Sequence, residues 1–112
     1  MDIFCKIASG AVPTKKLYED KEILAFPDIN PQAPVHILII PKKHYVSLND
    51  VNEKDQELLG HMLLAARRLA EEQGIAQSGY RTVINCGPQG GQVVPHLHLH
   101  LLGGRQLRGE LG

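Results

Sequence analysis

The sequence has no tryptophan, two phenylalanines, three tyrosines and two cysteines in 112 residues. Two thiols, Cys5 and Cys86, are not a disulfide framework, so a small secreted scaffold held by bridges is excluded. Neither charge is in excess. Twelve Lys/Arg balance twelve Asp/Glu, which argues against the basic field of a nucleic-acid binder or of a membrane-surface helix. No apolar run approaches the roughly 20 residues of a membrane span. MDIFCKIASG lacks the basic start and long apolar stretch of a signal peptide. A reduced, cytoplasmic protein is therefore expected, without nucleic acid or membrane as partner.

What remains is the composition of an ordinary globular chain, 43% hydrophobic and 21% charged. Its length suits a single domain over residues 1–112, able to bury roughly two-thirds of its unfolded surface. Asp2 is a candidate N-cap for a short helix carrying Ile3, Phe4 and Ile7. LYED (17–20) and EILAFPDI (22–29) read as two strands across a charged turn. HILIIP (36–41) is apolar on both alternating faces, as a central strand ended by Pro41 would be.

VNEKDQELLGHMLLAARRLAEEQG (51–74) is the main helix, with Asn52 at its N-cap, Glu53 and Asp55 in its first turn and Gly74 at C′. Leu58, Met62, Ala65, Ala66 and Leu69 form the stripe predicted to be buried, while Arg67, Arg68, Glu71 and Glu72 face water. His61 on this helix is read as structural. YRTVINCG (80–87) is a further strand, followed by the loop PQGGQ. Strands and helices do not alternate, so the fold class is α+β with a mainly antiparallel sheet. The helix covers one face of that sheet; periodicity leaves the cover of the other face open.

The most informative stretch is VVPHLHLHLLGGR (93–105). On a helix, steps of two residues turn a side chain by about 200°, and His98 would point away from His96 and His100. On a strand all three share one face at a spacing of roughly 6.6–7 Å, and the leucines line the other. Alternation, Pro95 before and Gly103-Gly104 after favour the strand. Imidazole is nucleophilic and half-titrated near neutral pH, so a middle histidine between two hydrogen-bonding neighbours suits attack on phosphorus. Gly87, Gly90 and Gly91 would let backbone N–H groups approach an anion, with Asn85 adding an amide nearby. The same residues permit a metal site. Three alternate positions on one strand span roughly 13 Å, so such a site would use two of them with His36 or His44.

With these residues in place the chain resembles the histidine triad (HIT) superfamily, and within it the nucleotide-binding (HINT-like) branch of nucleoside phosphoramidases. The resemblance rests on IFCKI (3–7), FPDINPQAPVHILIIPKKH (26–44), GH in LLGHM, GYR and Asn85 within 79–85, GGQ (90–92) and HLHLHLLGGRQ (96–106). It implies a five-stranded antiparallel sheet with one long helix and a short N-terminal helix, and a homodimer with one continuous sheet. It further implies hydrolysis of purine nucleoside phosphoramidates, such as adenosine 5′-phosphoramidate, to AMP through a nucleotidyl-histidine. His98 matches the nucleophile, and His96 and His36 match supporting histidines. His100, Asn85 and backbone groups of Gly91, Gln92 and Val93 match phosphate contacts. Asp28 matches the carboxylate for the ribose hydroxyls, and Ile29, Ile3, Phe4, Ile7, Phe26 and Leu38 match the apolar slot for the base. Two alternatives are a dinucleoside polyphosphate hydrolase and a nucleotide-binding regulator with weak hydrolase activity.

The chain departs from the family pattern in three places. Val93 stands where a Ser or Thr hydroxyl often assists the leaving group, and Pro95 where an aromatic often stands. RQLRGELG replaces a tryptophan-containing tail. Some relatives also carry zinc on a Cys-x-x-Cys near the N-terminus together with the histidine after IPKK. Here Asp2 holds the first position, with Cys5 and His44 kept. On one cysteine, no resident metal or cofactor is expected, although Asp2 could supply an oxygen.

Overall fold

The computed structural model describes residues 2–112. Its elements are α1 (Ile3–Ala8), β1 (Tyr18–Glu19), β2 (Ile23–Pro27), β3 (Val35–Pro41), α2 (Gln56–Glu72), β4 (Tyr80–Val83) and β5 (Leu99–Gly103). The strands form one antiparallel sheet in the order β1-β2-β3-β5-β4. That is the five-stranded α+β arrangement with one long and one short helix that the sequence implied.

Side-chain alternation divides the sheet into two working faces. Ile23, Ala25, Ile37, Ile39, Leu99 and Leu101 pack on one side with Leu58, Met62, Ala65, Ala66, Leu69 and Ala70 of α2. The predicted stripe of α2 is buried as expected, and Arg67, Arg68, Glu71 and Glu72 are exposed. Burial of each such leucine or isoleucine contributes about 1.5–3 kcal/mol. On the opposite side, Leu24, Phe26, Leu38 and Ile40 pack against Phe4 and Ile7. The cover that periodicity left open is thus α1. The doubly apolar β3 is central because this one chain covers both of its faces.

Local signals explain most element ends. Asp2 caps α1 by accepting from the Cys5 N–H at 2.8 Å. Asp20 Oδ1 accepts from the Glu22 and Ile23 N–H groups and so turns β1 into β2. His61 reaches from α2 to the other oxygen of Asp20, which Tyr18 also contacts, in keeping with a structural role. Asn52 does form a capping box with Asp55, but it opens a single 3₁₀ turn, Glu53–Asp55, and the α-helix starts only at Gln56. Gly74 follows α2 at φ +74°.

Four strands are shorter than the sequence reading: the strand expected over 17–20 keeps Tyr18–Glu19 and that over 22–29 keeps Ile23–Pro27. The strand expected over 80–87 leaves the ladder after Val83. The triad strand is regular only from Leu99, because its register with β3 stops at Ile39↔Leu99. Before Leu99 the chain remains extended enough to keep its alternation. Leu97 enters the α2-side core while His96 and His98 turn to the α1 side. Pro95 has no N–H for a ladder, and the Leu97 N–H is drawn instead to the Tyr45 carbonyl at 2.7 Å. A row of leucines anchored under α2 thereby presents a row of imidazoles on the other side.

Candidate active site

Two of the triad rings, His98 and His100, fall together with His36, while the His96 ring sits between Phe4 and His44. His98 and His100 have ring centroids 4.8 Å apart, and His36 and His100 are 5.1 Å apart. Phe4 lies edge-on to His98 at 5.0 Å, so α1 forms a wall beside the middle imidazole. His96, His98 and His36 are buried and His100 is partly buried.

Hydrogen-bond bookkeeping assigns each ring its proton. A carbonyl can only accept, so the 2.6 Å contact between His98 Nδ1 and the His96 carbonyl places the proton on Nδ1. His98 Nε2 is left with a free lone pair. A backbone N–H can only donate, and that of Gln32 points at His36 Nδ1 at 3.0 Å, so neutral His36 is protonated at Nε2. From there it donates to His100 Nδ1 at 2.9 Å, with Asp28 Oδ2 further away at 3.4 Å. His100 must then carry its own proton on Nε2. The result is a ring with an open lone pair beside a second ring with an N–H donor.

Burial keeps these rings neutral. It is the main cause that lowers the pKa of His98, against the opposing pull of the hydrogen bond to the His96 carbonyl. It lowers His36 likewise, against the opposing pull of Asp28. Burial, followed by His98 and His36, pushes His100 down to about 4. Neutral imidazole is the form in which His98 has a lone pair to offer.

The glycine loop lies just before the triad. Gly90 packs so tightly that a Cβ there would sit 2.3 Å from the Cys86 carbonyl oxygen, and Gly91 occupies φ +81°. The loop consumes much of its own hydrogen bonding. Gly90 and Gln92 N–H donate to the Gly87 carbonyl, Gly91 N–H donates to Pro88, and Asn85 Nδ2 holds the Gly90 carbonyl at 2.7 Å. The Gly91 and Gln92 amides expected on phosphate are therefore turned inward. The Val93 and Val94 N–H groups find no acceptor among the described residues. Val93 is 89% exposed, at the loop's edge.

The remaining expected residues divide between core and surface. Phe4, Ile7, Phe26 and Leu38 come together in the buried cluster under α1. Ile29 is fully exposed and Ile3 is 44% exposed. Asp28 caps the turn by accepting from the Asn30 N–H at 2.8 Å and still faces His36, so it has both the turn role and a place at the site.

A second constellation, which sequence reasoning counted one donor short, joins Asp2, Cys5, His44 and His96. His96 Nε2 donates to the Pro41 carbonyl at 3.0 Å, which leaves Nδ1 as a lone pair directed into the cluster. That Nδ1 lies 3.3 Å from Cys5 Sγ, from His44 Nδ1 and from Asp2 Oδ1. Cys5 Sγ is 3.1 Å from His44 Nδ1 and 3.4 Å from Asp2 Oδ2, and Asp2 Oδ2 is 3.1 Å from His44 Nδ1. Bonds of about 2.0–2.3 Å to a tetrahedral zinc imply ligand–ligand edges of about 3.3–3.8 Å. One thiol, one carboxylate and two imidazoles with edges this similar fit a four-coordinate zinc-type ion. A spacing of 52 residues between His44 and His96 gives no sequence cue; the shared carbonyl-facing tautomer of His96 becomes apparent only in three dimensions.

Comparison with known proteins agrees with this geometry. The family model described as HIT domain matches residues 9–107. A HIT-like protein of Buchnera aphidicola subsp. Baizongia pistaciae is 50% identical over 106 residues, 95% of each chain. The crystal structure of a HIT family hydrolase from Legionella pneumophila Philadelphia 1 is 55% identical, with a TM-score of 0.96 over 98% of both chains. A histidine triad nucleotide-binding protein from Candida albicans is 31% identical, with a TM-score of 0.82 over all of this chain and 87% of that one. On triad, fold and similarity together, the chain belongs to the HIT domain family.

Proposed function

We propose that the protein is a nucleotidyl hydrolase that cleaves P–N bonds of purine nucleoside 5′-phosphoramidates and releases AMP. The observation that carries this reading is the 2.6 Å contact from His98 Nδ1 to the His96 carbonyl, which leaves Nε2 as the attacking atom. Its similarity to HIT family hydrolases supports the broader assignment to hydrolysis.

The steps follow from the tautomers. His98 Nε2 donates its lone pair to phosphorus, the P–N bond breaks, and the departing nitrogen takes up a proton from solvent to leave as the amine. Neutral His100 keeps its Nε2–H next to His98, where it can only donate a hydrogen bond. As charge builds on the phosphoryl oxygens, this N–H and the free Val93 and Val94 amides supply fixed donors, the kind of preorganised stabilisation that lowers such barriers most. Water then attacks the nucleotidyl-histidine, AMP departs and His98 regains its lone pair. Asp28 offers carboxylate oxygens to the two ribose hydroxyls, and Ile29 and Ile3 offer exposed apolar surface to the base. Val93 contributes an amide but no hydroxyl, so the proton of the leaving nitrogen comes from solvent.

Asp2, Cys5, His44 and His96 would hold a zinc-type ion. When bound, the ion supplies structural fixation of α1 and of the His96 imidazole, and the hydrolytic steps belong to the triad. We further propose assembly with a second copy through β4, which is an outer strand with one unpaired edge. Leu63 and Leu64 of α2 are more than half exposed and add apolar surface for such a contact.

Replacement of His98 by Asn should reduce turnover of adenosine 5′-phosphoramidate by at least about 10³-fold, as loss of a nucleophile does, while AMP still binds by calorimetry. Turnover within tenfold of wild type would reject the mechanism, and AMP binding without wild-type turnover would favour the regulator. Because burial lowers the His98 pKa, kcat/KM should hold steady as pH falls to the ordinary imidazole value of 6.5 and decline only below it. A midpoint at or above 6.5 would contradict the neutral buried nucleophile. Addition of Zn²⁺ to chelator-treated protein should raise the melting temperature, and Cys5→Ser should abolish that rise; an unchanged melt would remove the metal assignment. Sedimentation should give a dimer, with monomer alone at high micromolar concentration counting against assembly.

A further inference from the structure

Gln92 was expected at the site through its backbone, yet its side chain has the more unusual placement. Nε2 donates to the Val46 carbonyl at 2.6 Å and to the Val94 carbonyl at 3.0 Å, and Oε1 accepts from the Gly87 N–H at 2.9 Å. Both amide hydrogens are thus used on main chain, and nothing is left with which this side chain could donate to a phosphate. One amide joins three backbone segments: the start of the glycine loop, the chain entering the triad, and residue 46.

Residue 46 is a firm support. Its own N–H is held by Asp50 Oδ2 at 2.8 Å. Its neighbour Tyr45 is buried, donates its hydroxyl to Asp55 at 2.7 Å, and accepts the Leu97 N–H on its carbonyl. The loop itself has little other attachment, since its internal bonds run among residues 85–92. The bond from Gln92 to Val94 also spans Val93, so it fixes the peptides on both sides of the exposed amides.

We infer that Gln92 is a positioning residue: its side-chain amide hangs the glycine loop from Val46 and thereby aims the Val93 and Val94 N–H groups at the phosphoryl oxygens. The inference rests on the nucleotidyl-transfer reading and adds the part that orients its donors. Donors that gain strength as charge develops act on the transition state more than on the ground state, so misaiming them lowers kcat more than it raises KM.

Two variants test this on the full chain with adenosine 5′-phosphoramidate. Gln92→Met keeps the length and removes all three bonds; Gln92→Glu keeps acceptor oxygens and loses both donors while ionised. Both should lower kcat by about 10- to 100-fold, less than the roughly 10²- to 10³-fold of an oxyanion donor removed outright because these donors are only misaimed, with KM within about threefold. For Gln92→Glu the deficit relative to wild type should shrink as pH falls toward carboxyl titration, because a neutral carboxyl regains one O–H to give to Val46. The pH series decides the matter even if the Met variant folds poorly. A kcat within twofold of wild type in both variants, or a loss confined to KM, would overturn the assignment while leaving the hydrolase reading intact. If wild type itself showed no turnover, the hydrolase reading would fail. Hydrogen exchange at the Gly87 amide, protected in wild type and fast in Gln92→Met, would then decide Gln92's hold on the loop; equal protection in both would overturn it.

Discussion

The chemistry of this site depends on the hydrogen bond from His98 Nδ1 to the carbonyl two residues earlier. With that bond, the ring is fixed in orientation and tautomer, and its second nitrogen keeps the lone pair on which the proposed reaction depends. Without it, the proton could reside on either nitrogen and the ring could turn. The extended chain makes the bond possible, because alternation puts His96 and His98 on one side while the carbonyl between them stays within reach of the later ring. His36 and His100 repeat the device from β3 and β5, where the Gln32 amide sets one ring and that ring sets the next. Four histidines thereby acquire defined protons from three backbone groups: the His96 and Pro41 carbonyls and the Gln32 N–H.

Holding such a row in place requires an anchor, and the interleaved leucines provide it. Leu97, Leu99 and Leu101 are almost wholly buried under α2. A one-residue slip would exchange them with the histidines and expose the core, so register is strongly specified. The opposite face closes through α1, whose Phe4 touches both the apolar cluster and the rings of His96 and His98. Asp2 and Cys5 belong to the same short helix region and reach His44 and His96. Packing and polar contacts thus tie one element to the site, which explains how so short a helix finds a defined place.

Much of this was legible in the residues. The spacing of His96, His98 and His100 required an extended segment, the stripe on α2 followed from its period, and Asp2 and Gly74 marked helix ends. Other features were hidden because they depend on contacts between distant segments. The ladder of β5 begins only at Leu99 because the Leu97 amide prefers Tyr45. His96 completes a four-donor cluster through a tautomer set by Pro41, where the family resemblance offered three. The inward turn of the Gly91 and Gln92 amides, and the use of the Gln92 side chain on Gly87, Val46 and Val94, leave no periodic trace. Sequence pattern reports faces and caps well; side chain to main chain links across the fold appear only once the chain is folded.

The most direct test of the account is ¹⁵N NMR of the imidazole rings in protein labelled at histidine, recorded near neutral pH. His98 should give a protonated Nδ1 and an unprotonated Nε2, with His36 and His100 both protonated at Nε2. A spectrum with His98 protonated at Nε2, or doubly protonated at that pH, would leave the site without its nucleophile and contradict the account.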